Sequence, residues 1–280
     1  MSSTSGSLSS AAEKIVRDSA AESADAPLIV ALAPIFSDNY VYLLRDAATG
    51  QVGVVDPGDA APVSAALNVL GWRPDWIILT HHHPDHIAGV DALREETGAK
   101  VVGAAQDAHR LPALDATVAP GDAWSLGETR FDVIDAPGHT VGQIAWAAPK
   151  ARAVFTGDSL FALGCGRLFE GTPAQMWETL LALRALDDAT RVYCGHEYTL
   201  SNARFCLTIE PDNAALQERA AQIEAAREAG APTIPTTIGE EKATNSFLRA
   251  DEPSVQAAVD LTGADAAAVF AEIRRRKDNA

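Results

Sequence analysis

The sequence predicts an α/β protein: a mixed part that carries the chemistry, followed by a smaller, all-α C-terminal part. Three observations lead there. Short apolar, β-prone runs recur between Leu28 and Cys194, and several stop at a glycine or tight turn beside a histidine or aspartate. Helical patterns fall between these runs, as expected where strands alternate with helical crossovers. Beyond Tyr198 the strand signals fade and Ala, Glu, Gln and Arg take over, most clearly over 213–229. The chain therefore divides into an extension over 1–27, a mixed part over 28–197 and a helical part over 198–280.

The extension is rich in Ser and Ala. Residues 11–17 have helical character but few apolar side chains to anchor them, so 1–27 is expected to be disordered, and removal of 1–26 to leave turnover and melting temperature nearly unchanged. Leu28–Leu32 reads as the first strand. Ser37-Asp38-Asn39 is turn chemistry, and Tyr40–Leu44 is a second strand. Ala48-Thr49-Gly50 closes a hairpin onto Gln51–Asp56, which Pro57-Gly58-Asp59 ends. Pro62–Leu70 reads as a helix opened by its proline. Trp76–Leu79 is a buried strand, Ile87 to about Thr97 a helix stopped by Gly98, and Lys100–Ala104 a strand. Glu128–Ile134 alternates as a half-buried strand and runs into Gly138-His139. Ala153–Thr156 ends in Gly157-Asp158, and Arg191–Cys194 ends in Gly195-His196. Thr172-Pro173 caps and opens a helix to Leu186. Ala266–Arg276 is the last helix.

The most informative stretch is Thr80-His81-His82-His83-Pro84-Asp85-His86, which holds four of the seven histidines in the chain. A histidine tag would sit at a terminus and would not follow a buried strand. Imidazoles and a carboxylate packed this closely are usually reconciled by a divalent cation. Adding the other strand-end residues gives the set His81, His83, Asp85, His86, His139, Asp158 and His196. Five imidazoles and two carboxylates suffice for two four-coordinate sites sharing a carboxylate and a water. Zinc suits this set, and iron or manganese fits nitrogen and oxygen ligation as well. A shared Asp158 would hold the ions at the ~3.5–4 Å spacing of two-metal hydrolytic centres. His82 is expected to point away, and His109 to lie on the surface.

The whole chain sets bounds. It has 280 residues, 47% hydrophobic and 21% charged, which suits a soluble globular protein with a substantial core. A net charge of −16 disfavours nucleic acid and anionic membranes as partners. No apolar run approaches the roughly 20 residues of a membrane helix, and no secretory signal is evident. Three cysteines without paired spacing fit a reducing, cytoplasmic setting.

These motifs carry a family resemblance. His81-x-His83-x-Asp85-His86, Gly138-His139, Gly157-Asp158 and Gly195-His196 resemble the metallo-β-lactamase superfamily. Phe155–Phe161, Gly164–Arg167, Cys194–Thr199, Ile238–Asn245 and Arg274–Asp278 resemble, more specifically, the glyoxalase II (hydroxyacylglutathione hydrolase) family. The resemblance implies an αββα sandwich followed by a helical domain that helps bind glutathione. It implies one metal on His81, His83 and His139, a second on Asp85, His86 and His196, and Asp158 between them, with Asp158 and Asp85 also catalytic. It implies hydrolysis of S-D-lactoylglutathione to D-lactate and glutathione, in methylglyoxal detoxification, by a metal-bridging hydroxide. Arg167, Phe169, Tyr198, Arg274 and Lys277 would meet the substrate. Arg167 stands where many relatives have Lys, and Phe169 where some have Tyr. The expected partner is a small glutathione thioester met by a monomer. The alternative is a persulfide dioxygenase with one iron, which shares the first ligand motif; the full ligand set and the Arg274–Lys277 run favour the hydrolase.

Overall fold

The chain enters its fold earlier than the sequence predicts. In the computed structural model, which describes residues 8–280, Ser10–Glu22 is a helix (α1) whose N-cap, Ser9, accepts a hydrogen bond from Ala12 N. Val16 is fully buried, and Leu8 and Ala20 pack beside it in one core cluster. The disorder expected of 1–27 is thus corrected for its described residues, 8–27. The apolar residues are few, but the helical repeat puts them on one face. Residues 1–7 of that expected extension lie outside the described residues.

Two compact units follow. The first takes the chain through Asp135 together with Ile144–Gly157, and the second takes Ala136–Gln143 together with Asp158–Ala280. This division differs from the linear one read at 197/198. The short segment between residues 135 and 144 leaves the first unit and returns.

The first unit holds a six-stranded sheet in the order β1-β2-β3-β4-β5-β6. Its strands are β1 (Leu28–Ile35), β2 (Asn39–Asp46), β3 (Val52–Val55), β4 (Trp76–Ile78), β5 (Lys100–Ala104) and β6 (Ala116–Val118). β1 to β3 pair antiparallel, and β3 to β6 pair parallel. Both faces are covered, which explains the unbroken apolar runs. On one face Ala31, Val41, Leu43, Val54 and Ile77 meet Val16 of α1, Val63 and Leu67 of α2 (Ala60–Leu70), and Val90 and Leu93 of α4 (Val90–Thr97). Asp59 caps α2 by accepting from Ala61 N, so the helix starts before Pro62. On the other face lies an antiparallel meander, β7 (Ala123–Leu126), β8 (Thr129–Asp135), β9 (Ile144–Ala148) and β10 (Ala153–Gly157). Tyr42 meets Phe155 and Trp76 meets Trp124 across this interface, with ring centroids 5.6 and 5.3 Å apart. Between β4 and α4, Pro84–Ile87 forms a single turn, α3.

The second unit is mainly helical. After the small hairpin β11 (Leu160–Phe161) and β12 (Gly164–Cys165) come α5 (Pro173–Arg184), β13 (Arg191–Cys194), α6 (Thr199–Ile209), α7 (Ala214–Glu228), β14 (Thr236–Thr237), α8 (Ile238–Thr244), α9 (Pro253–Ala258) and α10 (Ala266–Asp278). Thr172 and Thr237 each complete a capping box. The C-terminal part is helical as expected; its two-residue strand β14 pairs antiparallel with β13, Arg191 opposite Thr237. Glu241, fully buried in α8, accepts from Leu163 N, Asn245 Nδ2 and Thr236 Oγ1 and pairs with Arg219. These bonds tie the hairpin turn to α8. Among the described residues, no helix is long and apolar enough to cross a membrane.

Candidate metal centre and substrate groups

The first unit builds a His/Asp cluster where two parallel strands end, the usual place for sites in open α/β sheets. Val55 pairs with Ile78, so Asp56, just past β3, lies beside the Thr80–His86 segment that follows β4. Asp56 has φ +51°, a left-handed conformation that Asp tolerates better than most residues. Its carboxylate accepts from Thr80 N at 2.8 Å and from Thr80 Oγ1 at 2.6 Å, and it lies 3.2 Å from His86 Nδ1.

These bonds set the protonation of two rings. A carboxylate only accepts, so His86 Nδ1 carries the proton. The single proton of Thr80 Oγ1 goes to Asp56, so Thr80 accepts from His81 Nδ1, 2.9 Å away. In its neutral form each ring then keeps an Nε2 lone pair, the form a metal requires. His81 and His86 are buried, with ring centroids 4.2 Å apart, and His83 lies 4.8 Å from His81. In α3, Asp85 Oδ2 sits 3.4 Å from His86 Nε2 and accepts from Asn39 Nδ2 at 2.9 Å. Gly58 is required here, because a Cβ on it would lie 1.8 Å from the Asp85 carbonyl. His82 turns to Asp107, with Nδ1 3.1 Å from Oδ2, and His109 is exposed.

The second unit centres on Asp158, which follows β10 and is 5% exposed. Its Oδ2 lies 3.4 Å from His139 Nε2 and 3.2 Å from His196 Nε2. His139 Nδ1 lies 2.8 Å from the Arg167 carbonyl, which can only accept, so this ring too offers an Nε2 lone pair. Gly166 permits that approach: a Cβ there would lie 1.9 Å from the Asp158 carbonyl and 3.0 Å from His139 Nδ1. The Tyr198 ring stacks on His196, with centroids 4.7 Å apart and planes 5° apart. Each unit thus carries a His/Asp cluster whose donor atoms and ring tautomers fit a divalent cation.

All five expected substrate groups lie in the second unit. Phe169, 63% exposed, sets its ring against His139, and Tyr198 is 38% exposed. Arg167 extends into solvent with Nε 3.6 Å from Asp278 Oδ1. Arg274 differs from a free binding arm: it is 6% exposed, donates to the Cys165 carbonyl at 3.0 Å, pairs with Asp278 at 2.8 Å and lies over Phe247. Lys277 donates to the carbonyl and hydroxyl of Ser201. Burial, then the nearby Arg274 and Arg167 charges, hold its ammonium below the usual lysine range. Burial pushes the three cysteine thiols up, Cys165 and Cys206 to about 11 and Cys194 to about 12, as expected of inert, structural thiols. Sequence reasoning missed Asp56, Asn39, Thr80 and Asp278. The Asp-Pro-Gly at the end of β3 was the one signal for Asp56, and it reads equally well as a simple turn.

Residues 35–196 match the family model of the metallo-beta-lactamase superfamily. The chain therefore belongs to that superfamily and has its αββα fold. Residues 197–280 match the hydroxyacylglutathione hydrolase C-terminus. Curated relatives named hydroxyacylglutathione hydrolase include one from Ruegeria pomeroyi, 54% identical over 253 residues, covering 90% of this chain and 99% of the relative. Another, from Jannaschia sp., is 57% identical over 90% of this chain and 98% of its own. The chain is a member of the hydroxyacylglutathione hydrolase family, a family of hydrolases. Among solved structures, ETHE1 from Myxococcus xanthus is 28% identical with a TM-score of 0.61, covering 89% of this chain and 90% of its own. TTHA1623, solved in a di-iron-bound form, is 25% identical with a TM-score of 0.55, covering 75% of this chain and 94% of its own.

Proposed function

We propose that this chain hydrolyses S-D-lactoylglutathione to D-lactate and glutathione, the thioester step of methylglyoxal detoxification, as a cytoplasmic monomer. The observation that carries this reading is the near end-to-end identity with relatives named for that activity, 54% over 99% of the Ruegeria pomeroyi protein. His81, His83 and His139 are proposed to hold one metal ion, and Asp85, His86 and His196 a second, with Asp158 shared. Zinc is the proposed metal, and iron or manganese suits the same donors. When bound, such a pair supplies a water acidified toward neutrality and positive charge near the thioester carbonyl.

The chain's own residues have defined tasks around that chemistry. Thr80 and Asp56 keep the His81 and His86 lone pairs directed outward, and the Arg167 carbonyl does so for His139. Asn39 holds the Asp85 carboxylate. A thiolate leaves without a strong acid, so no dedicated proton donor is needed. Arg167 and Lys277 attract the glutathione carboxylates against a net charge of −16. Arg274 anchors the Cys165 carbonyl and the Asp278 carboxylate, and Asp278 in turn faces Arg167. Phe169 offers an apolar edge where a tyrosine hydroxyl would add a hydrogen bond. Three buried, high-pKa thiols are consistent with a reducing compartment.

The test is a steady-state assay of purified protein on S-D-lactoylglutathione beside elemental analysis. Saturable release of glutathione with two ions per chain is expected. A single iron with oxygen uptake would overturn the reading in favour of the dioxygenase.

A further inference from the structure

The first sheet ends at β1, and the outer edge of β1 carries backbone groups that no strand takes. The outward groups belong to even-numbered residues. Val30 O accepts from Ser23 Oγ at 3.1 Å, and Leu32 N donates to Ser19 Oγ at 2.9 Å. The two-residue repeat of a strand puts Leu28 and Pro34 on the same edge. Pro34 has no N–H to offer, a common device on edge strands.

Ser19 and Ser23 both belong to the α1 segment, Ser23 being its C-cap. They are four residues apart, a rise of about 6.0 Å on a helix. The two strand groups they meet are two residues apart, about 6.6 Å on a strand. The match runs in opposite chain directions, Ser19 to Leu32 and Ser23 to Val30. The polarity also matches. Ser19 gives its one proton to Ile15 O at 2.8 Å and so accepts from Leu32, while Ser23 donates to Val30. Two hydroxyls thus supply one acceptor and one donor in the order a neighbouring antiparallel strand would supply them. Val16 locks the helix in place from the core. The superfamily model starts at residue 35, so this arrangement lies outside it.

We propose that α1 is an edge cover, and that the β1 edge beneath it is otherwise a strand-pairing site for a second copy of this chain. A second copy is the fitting partner because β1, Leu-Ile-Val-Ala-Leu-Ala-Pro-Ile, has eight residues and no charge. An uncharged strand can pair antiparallel with its own two-fold mate through Leu28, Val30 and Leu32, with Pro34 unable to donate. The opposite edge strand, β6, has only three residues and offers less to pair with.

The experiment compares the full chain, a chain lacking residues 1–23, and the full-length double variant Ser19→Ala/Ser23→Ala. Molar mass is followed by light scattering across a hundredfold range of concentration. Amide hydrogen exchange is read at Leu32, on the covered edge, and at Leu43, inside the β1–β2 ladder. The truncated chain is expected to self-associate at concentrations where the full chain does not, with Leu32 slowed on association. In the double variant Leu32 is expected to exchange at least threefold faster than in the wild type, with Leu43 unchanged. Association that leaves Leu32 exchanging freely, or a folded truncated chain with the mass of the full chain throughout, overturns the proposal. If truncation unfolds the protein, the double variant decides alone, and unchanged Leu32 exchange overturns it.

Discussion

Asp56→Asn is the most informative single change at the candidate metal centre. Asn tolerates the left-handed backbone at this position, so the turn after β3 is kept. The hydrogen bonding is not. An amide has one accepting oxygen and one donating nitrogen, where the carboxylate accepts three times. If the Asn oxygen faces Thr80 N, its NH2 meets Thr80 Oγ1 and His86 Nδ1. Thr80 must then turn its proton to His81 Nδ1, and both rings move their own proton to Nε2, the nitrogen needed for a metal. If the amide is reversed, its NH2 faces the Thr80 N–H at a site built for 2.8 Å, two donors in contact. The first arrangement keeps every bond but withdraws both Nε2 lone pairs; the second sets two buried donors against each other, at about 1–3 kcal/mol. The loss in metal affinity should be about 10–100-fold, as for other groups that orient a ligand. Chelator competition measures it, with circular dichroism to confirm the fold. Asp107→Asn, beside His82, serves as the control and should leave affinity unchanged. Wild-type metal affinity in folded Asp56→Asn would refute the tautomer argument.

Other expectations follow from the same geometry. The chain should bind two ions; His196→Ala should lose one preferentially and Asp158→Asn should weaken both, and a single tightly held ion in metal-replete wild type would refute this. Val16→Ala removes two buried methyl groups, about 1.6 kcal/mol before any cavity cost, so the melting temperature should fall by a few degrees; an unchanged value would mean α1 is undocked in solution. Arg167→Ala, at an exposed side chain, should raise KM for S-D-lactoylglutathione roughly tenfold with little change in melting temperature, whereas Arg274→Ala should lower the melting temperature as well, because the buried Cys165 carbonyl loses its donor and Asp278 its partner. Stability should fall steeply at alkaline pH. The thiols ionise at about 11 to 12 when folded and near 9 when unfolded. The unfolded chain therefore sheds protons first, and stability that is complete below about pH 9 is lost toward pH 11 at on the order of 1.4 kcal/mol per pH unit per thiol. Flat stability between pH 9 and 11 would contradict the burial of these thiols.

The His/Asp clusters were legible because their information is local. His81, His83, Asp85 and His86 announce themselves by residue type and by following a strand, and Gly138-His139, Gly157-Asp158 and Gly195-His196 repeat that signature. Asp56 was not legible, since its role depends on the parallel register that sets β3 beside β4. Nothing in a linear reading says that residue 56 will meet residues 80 and 86. The helix α1 failed for a related reason. One fully buried valine and two serines are a weak pattern, and their worth appears only when a strand edge supplies the partners.

The basic run at the C-terminus shows why charge counted along a sequence is a poor guide to charge available to a ligand. Arg274, Lys277 and Arg167 read as three equivalent cations. In the fold they are not equivalent: Arg274 is buried and shared with Asp278, Lys277 is held by Ser201, and Arg167 projects into solvent with only a long contact to the same aspartate. The run is therefore more than a helix end balanced by its macrodipole, yet less than three free clamps. A buried Arg274 fixes Asp278, and Asp278 in turn offers Arg167 an internal carboxylate 3.6 Å away. On the proposed function, an incoming glutathione carboxylate would compete with that contact. Asp278→Asn should thus lower KM if release of Arg167 dominates, and raise KM together with a lower melting temperature if loosening of Arg274 dominates. Measuring KM and melting temperature on the same variant separates the two, and no change in either would show that Asp278 takes no part in presenting these cations.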